Sequence, residues 1–181
     1  MKNRYKYSQF SFSYCSILWC CFTYTSCEFP WESKWSDING RIGDIEFDPT
    51  LDDTTFTTCS SQPLIRQHYM FGAKTYEGEK IAIERLFFDA YQKPEDNNET
   101  GLIRIRFVVN CEGRSGYFRM KAMDWQYVEM EFDLNIANQL MEITKALDGW
   151  KIMKNKDGKP QDYYQYLIFK LESGELVEIM P

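Results

Sequence analysis

The chain has 181 residues, of which 44% are hydrophobic and 27% are charged. This is the composition of a globular protein, and the length suits one domain with a core and an additional arm. The formal net charge of −6 argues against nucleic acid as the main partner, because a phosphate backbone requires a predominantly basic surface.

Residues 1–26 are predicted to be an export signal. Lys2, Arg4 and Lys6 form a basic start, and residues 10–26 carry no charge. The small residues before Cys27 resemble a bacterial lipoprotein cleavage box, in which the cysteine is lipidated and becomes the first mature residue. The resemblance implies a membrane anchor at Cys27 and an outer-membrane lipoprotein of the cell envelope that faces the periplasm or the exterior. The alternatives are a buried aromatic strand and a cytosolic Cys-rich segment.

Residues 27–58 are predicted to be an acidic tether, or arm, that precedes a domain at residues 59–181. The arm has eight acidic residues against Lys34 and Arg41. Asp48, Asp52 and Asp53 lack the ligand spacing of an EF-hand, so we expect solvated carboxylates there and no calcium site.

Cys59 and Cys111 are the side-chain thiols that remain once the signal is removed and Cys27 is modified. An exported protein can join two such thiols in a disulfide. Two separately buried cysteines are the alternative, because a disulfide requires the two Cα atoms to lie within about 7 Å.

Hydrophobic periodicity predicts a first helix over residues 77–91. Its expected apolar face consists of Ile81, Ile83, Leu86, Phe87 and Ala90. A second helix is predicted over residues 135–147, with Asp133 as its N-cap.

Residues 102–110 and 115–123 alternate with period two and are predicted to form a hairpin. If Asn110 faces Ser115, one face of the hairpin is apolar and the other is basic. A slip of one residue would mix the two faces, so this register is favoured. It places Arg104 opposite Lys121 and Arg106 opposite Arg119.

The β-type run at residues 163–171 completes the predicted fold. The element order indicates an α+β domain with a small antiparallel three-stranded sheet and two helices packed on one face. Residues 176–180 can add a short fourth strand.

Five short motifs occur in one order within residues 77–171. They are Gly78-Glu79-Lys80 with Leu86-Phe87, the segment 101–113, Trp150, Gly158-Lys159-Pro160, and the aromatic strand at 164–169. In this order they resemble the C-terminal domain of the TonB family of bacterial energy transducers. The chain shows no transmembrane anchor or Pro-rich stalk of that family, so the resemblance implies a fold and a style of binding rather than energy transduction.

The resemblance also implies that the strand at 163–171 lies at a sheet edge and receives an extended peptide, for example from an outer-membrane transport receptor. An open edge offers N–H and C=O groups that a partner strand can satisfy. The strand residues predicted to bind the partner are Tyr163, Tyr164, Tyr166 and Ile168. The alternatives are that the tyrosines pack on the helices or that the last strand covers the edge.

The basic face of the hairpin is a second predicted binding surface, formed by Arg104, Arg106, Arg119 and Lys121. Like charges that face each other across strands cost about 0.2–1 kcal/mol per pair, so a counter-charge is expected. It is either an anionic partner or the acidic arm folded across this face. The arm is favoured because its acidic residues need a place to dock.

Catalysis finds little support in the sequence. His68 is the only histidine, which excludes a cluster of histidine metal ligands. Neither a Gly-x-Ser-x-Gly elbow nor a phosphate-binding glycine loop occurs, and a Cys111–His68 pair would lack an orienting third group. We predict a protein that is not an enzyme, needs no cofactor or metal, and binds an envelope protein or receptor peptide. The alternatives are a structural subunit of an envelope complex and a hydrolase of unrecognised type.

Overall fold

The computed structural model describes residues 45–60, 66–67 and 74–180, all within one compact unit. The predicted export signal, Cys27 and His68 lie outside the described residues. The described helices are α1 (Glu79–Ala90) and α2 (Leu134–Lys145). The described strands are β1 (Arg66–Gln67), β2 (Gly101–Val109), β3 (Ser115–Met123), β4 (Glu129–Met130), β5 (Met153–Lys154), β6 (Pro160–Gln161), β7 (Tyr163–Glu172) and β8 (Glu175–Met180). Neither helix has the length and apolar composition needed to cross a membrane.

Both helices form where the periodicity predicts them. The Asp133 carboxylate accepts the N–H of Asn135 at 2.9 Å and caps α2, as predicted. The helix buries Ile136 and Leu140 completely. In α1 only two of the five predicted apolar residues, Ile83 and Phe87, are buried, whereas Ile81 is 70% exposed.

The main sheet has six strands, and β7 lies inside it. β2 pairs antiparallel with residues 163–171 of β7 along one side. Along the other side, β8 pairs antiparallel with residues 168–172, and β1 pairs parallel with residues 163–164. β3 lies beyond β2, β4 pairs with the end of β3, and β5 and β6 form a separate two-stranded sheet.

The α+β class is therefore right, but the prediction of a small sheet of three strands, with or without a fourth, is wrong. β1 and β4 have two residues each, which is too short to produce the alternation that identifies a strand in a sequence. Contacts with residues far away along the chain decide whether such short segments become strands.

The register of the β2–β3 hairpin is confirmed between Leu102 and Arg106, including both pairs of like charges. A bulge then shifts it by one residue, so that Val108 faces Gly116 instead of the predicted Tyr117. Tyr117 has a left-handed backbone, with φ 55°. The extra residue allows Phe118 to pack on Phe107 at 5.2 Å between ring centroids, while Tyr117 contacts the ring of Phe56 at 5.0 Å.

Side chains on the two sheet faces form two separate clusters. The main core fills the space between the helices and one face, and contains Ile103, Ile105, Phe107, Leu167, Phe169 and Leu171. The opposite face, called the back face below, carries the alternate strand residues. Part of it is covered by a small second cluster of Phe56, Val108 and Tyr164.

Candidate functional site

Residues 45–58, the described part of the acidic arm, lie on the back face and are called the docked arm. Phe56 is 3% exposed and packs against Val108 and Tyr164. Its ring lies so close to Gly116 that a Cβ atom at that position would be 2.4 Å from it. The N–H of Ile45 donates to the Tyr164 hydroxyl at 2.8 Å. The docked arm is therefore held by contacts near both of its ends.

An ion pair joins the docked arm to the basic face. Both terminal nitrogens of Arg119 donate to the two carboxylate oxygens of Asp52, each at 2.7 Å. The Asp52 side chain is only 2% exposed. The hydrogen bond from Arg119 holds the pKa of Asp52 below its ordinary value, and the same bond raises the pKa of Arg119. Such two-point pairing is the strong form of a carboxylate–guanidinium contact.

A groove of about 670 Å³ lies between the start of the docked arm and the basic face. Residues 45–49 form one wall. Arg104, Arg106, Arg119, Met120 and Lys121 form the other. All four predicted cations of the hairpin therefore line one open space.

The positive charges of these four side chains differ in the contacts that neutralise or stabilise them. Arg119 has its buried pair with Asp52, whereas the Lys121 ammonium lies 3.4 Å from the exposed carboxylate of Glu129. The Arg106 guanidinium stacks on the ring of Tyr164, 3.8 Å from the centroid. Within the described residues, Arg104 makes no side-chain hydrogen bond or ion pair. An exposed pair such as Lys121–Glu129 contributes little, so Arg104 and Lys121 remain able to bind an anion.

The predicted partner strand, β7, is not a sheet edge. Tyr163 is fully buried in the main core and donates its hydroxyl to the Lys151 carbonyl at 3.0 Å. Tyr164 is buried beneath the docked arm, and Tyr166 and Ile168 are half-buried. From the sequence, these tyrosines were expected to provide amphipathic contact area for a partner. Their burial follows from their neighbours: β2 pairs with all three tyrosines on one side, β1 pairs with Tyr163 and Tyr164 on the other, and the docked arm covers Tyr164.

A disulfide fixes the end of the docked arm to the β2–β3 turn. It joins Cys59 to Cys111, whose Cα atoms are 5.9 Å apart. The buried Asp162 carboxylate lies beside the disulfide and accepts the N–H groups of Cys59, Ser60 and Cys111 at 2.8–3.1 Å. The sulfur atoms are bonded to each other, so these residues do not form a set of metal ligands in this state.

Three residues of the site were not predicted. Asp52 was expected to be solvated, which is wrong because its side chain is 2% exposed and pairs with Arg119. Asp48 and Asp53 accept hydrogen bonds from Thr50 and Thr55 in local turns, and Asp52 also accepts the N–H of Asp48 at 2.8 Å. Phe56 and Asp162 also escaped notice. Phe56 is an isolated aromatic residue in a polar segment, Asp162 directly precedes the predicted strand at 163–171, and no periodicity or spacing marks either residue.

Comparison with known proteins adds no further constraint on function. No family model, curated protein or solved structure matches the chain. The resemblance to the TonB C-terminal domain therefore stays a prediction.

Proposed function

We propose that this chain is a non-enzymatic lipoprotein of the bacterial cell envelope, anchored through Cys27, which binds a protein or peptide partner in the groove. An outer-membrane transport receptor is one candidate partner. The observation that carries the proposal is the set of four cations along one groove. Arg119 has a buried acidic partner, whereas Arg104 makes no ion pair within the described residues and Lys121 has an exposed one. The charged residues of the sheet wall are all basic, whereas Glu46 and Asp48 lie on the opposite wall, so an acidic segment suits the sheet wall.

We also revise the expected mode of binding, from strand addition along β7 to side-chain contacts in the groove. Strand addition along the whole of β7 would require β1 and β8 to leave, because β2 pairs with one side of β7 while β1 and β8 pair with residues 163–164 and 168–172 on the other. Side-chain contacts on the back face need no such rearrangement. We therefore place the partner across β2 and β3, against Arg104 and Lys121.

A photo-cross-linking amino acid at Phe47 tests this proposal in cells. Phe47 lines the groove and is 47% exposed, and Cys27 is left intact. We expect capture of a defined envelope protein through an acidic segment. The double variant Arg104→Glu with Lys121→Glu should abolish that capture. The matched control, Lys80→Glu with Lys145→Glu, makes the same change in net charge on the helices and should preserve it.

A structural subunit is the second candidate function, favoured by the position of β7 inside the sheet. In that case no partner binds selectively in the groove. Capture at Phe47 would then be insensitive to the groove charges and would match capture from Leu134, an exposed position at the start of α2. That result would reject the groove proposal.

A further inference from the structure

The docked arm makes the kinds of contact that a bound partner would make. It places a carboxylate on an arginine, an aromatic ring in a hollow of the sheet, and a backbone N–H on a tyrosine hydroxyl. We propose that the docked arm is an intramolecular occupant of the partner site, and that the natural partner is an acidic segment with an aromatic residue four positions after its key acid. This inference rests on the proposed function and names the partner class and the regulation of the same basic face, of which the docked arm now covers part while its residues 45–49 form the second wall of the groove.

The acid of the pattern is Asp52. Its carboxylate receives two hydrogen bonds of 2.7 Å from Arg119, a geometry that a carboxylate of another chain can reproduce. The same guanidinium also donates to the Glu46 carbonyl at 2.7 Å. Arg119 therefore donates hydrogen bonds to the docked arm and to the carbonyl of Phe118 in its own strand. A partner must displace Asp52 to bind Arg119.

The aromatic residue of the pattern is Phe56. Its ring fills a hollow that exists because Gly116 has no side chain, with Val108, Tyr164 and Tyr117 around it. This second cluster is separate from the main core. Withdrawal of the docked arm would therefore uncover the hollow without opening the core between the sheet and the helices.

A partner can displace the docked arm because the groove offers contacts that the arm does not use. Arg104 makes no ion pair within the described residues, and Lys121 has only the exposed Glu129. A partner that carries further acids gains both cations in addition to the Arg119 contact. Attachment of the arm to the domain gives it a high effective concentration, so weakly acidic segments are excluded.

The experiment uses a fluorescent peptide with the sequence of residues 45–58 as the probe, added to the full chain. In the wild type, we expect the attached arm to block the site. The double variant Asp52→Asn with Phe56→Ala weakens the attached arm, and should bind the peptide at least tenfold more tightly than the wild type does. A peptide that carries the same two changes should not bind. Asp53→Asn is the matched control, because Asp53 caps a local turn and should leave binding as in the wild type.

Equal binding to the wild type and to the folded double variant would overturn the inference, as would no binding to that variant. If circular dichroism shows that the double variant does not fold, Asp52→Asn alone replaces it. A second readout then uses phenylglyoxal labelling of arginine with mass spectrometry. We expect Arg119 to be protected in the wild type and reactive in Asp52→Asn, whereas Arg104 reacts in both; unchanged Arg119 labelling would contradict the inference.

These assays contain no natural partner, so they separate the inference from the proposed function. Groove-dependent capture at Phe47 without peptide exchange would sustain the function and reject the arm as an occupant. Phe47 moves with the docked arm, so a second probe replaces Glu129, an exposed residue beside Lys121 on the sheet. Peptide exchange without capture from either position would show a displaceable arm and reject the envelope partner.

Discussion

Gly116 is required by the ring that lies above it. A glycine in a strand normally weakens it, and alanine would be preferred by about 0.5–1 kcal/mol. Here a Cβ atom would meet the Phe56 ring at 2.4 Å. We expect Gly116→Ala to lower the free energy of unfolding by about 1–3 kcal/mol, the usual cost of overpacking.

The control is to make the same change in a protein that already carries Phe56→Ala and therefore lacks the ring. In it, Gly116→Ala should be neutral or stabilising. Urea unfolding of the four proteins forms a double-mutant cycle that measures the coupling. Additive effects would mean that the two residues are not in contact.

The pair of Asp52 and Arg119 gives the molecule a specific response to acid. The pKa of Asp52 in the folded protein lies below its ordinary value of 3.8. A carboxyl group with a lowered pKa stabilises the fold fully above its unfolded value, and this contribution is lost as the pH falls through the folded value. Stability should therefore fall below about pH 4, and less steeply in Asp52→Asn.

Urea midpoints at a series of pH values check this expectation. Asp157→Asn is the control, because Asp157 lies in an exposed turn and should leave the slope of the wild type unchanged. An identical slope in Asp52→Asn would show that the pair does not form in solution.

At the scale of elements, the disulfide and Asp162 together fix the docked arm. Cys59 and Cys111 are 52 residues apart, and closing a loop of that length stabilises a fold by about 4 kcal/mol in the chain-entropy model. The double variant Cys59→Ser with Cys111→Ser should lose up to this amount. Because the second cluster is separate from the main core, the docked arm should loosen before the sheet does.

Amide hydrogen exchange of the oxidised chain and of the Cys59→Ser, Cys111→Ser variant measures whether the docked arm loosens before the sheet. We expect the amides of residues 48–60 to lose protection in the variant, whereas those of β2 keep it. Equal loss in both segments would show that the docked arm and the sheet open as one unit, which would also count against the arm as a displaceable occupant.

Elements that are specified by residues close to one another in the chain could be predicted from the sequence. The α2 cap at Asp133 and the hairpin register up to Arg106 both follow from spacing within about 20 residues. The bulge at Tyr117 could not be predicted, because it brings that side chain to Phe56 in a segment about 60 residues earlier. The cations of the groove followed from the hairpin alone, and the acidic arm was the favoured counter-charge, but nothing in the sequence singled out Asp52 as the buried partner of Arg119.

At the scale of the whole molecule, the position of β7 was the largest difference from expectation. The run at residues 163–171 was predicted to be a strand, but a strand sequence does not specify its neighbours. β1 and β8 join one side of β7, and β2 joins the other. The number of strands and the location of the binding surface both depend on these long-range pairings.

A proline in β7 tests this arrangement directly. Leu167 is fully buried and faces Ile105 of β2. Proline has no N–H, and inside a sheet it is tolerated only at edges and bulges. We expect Leu167→Pro to abolish the folded state, seen as loss of the circular dichroism of the native protein at 25 °C. Lys154→Pro, in the separate two-stranded sheet, should stay folded because that exposed residue contributes nothing to the main core. A folded Leu167→Pro protein would instead show that the Leu167 N–H points away from β2, to the side on which no described strand pairs with residues 165–167, and strand addition at that point would be open to a partner.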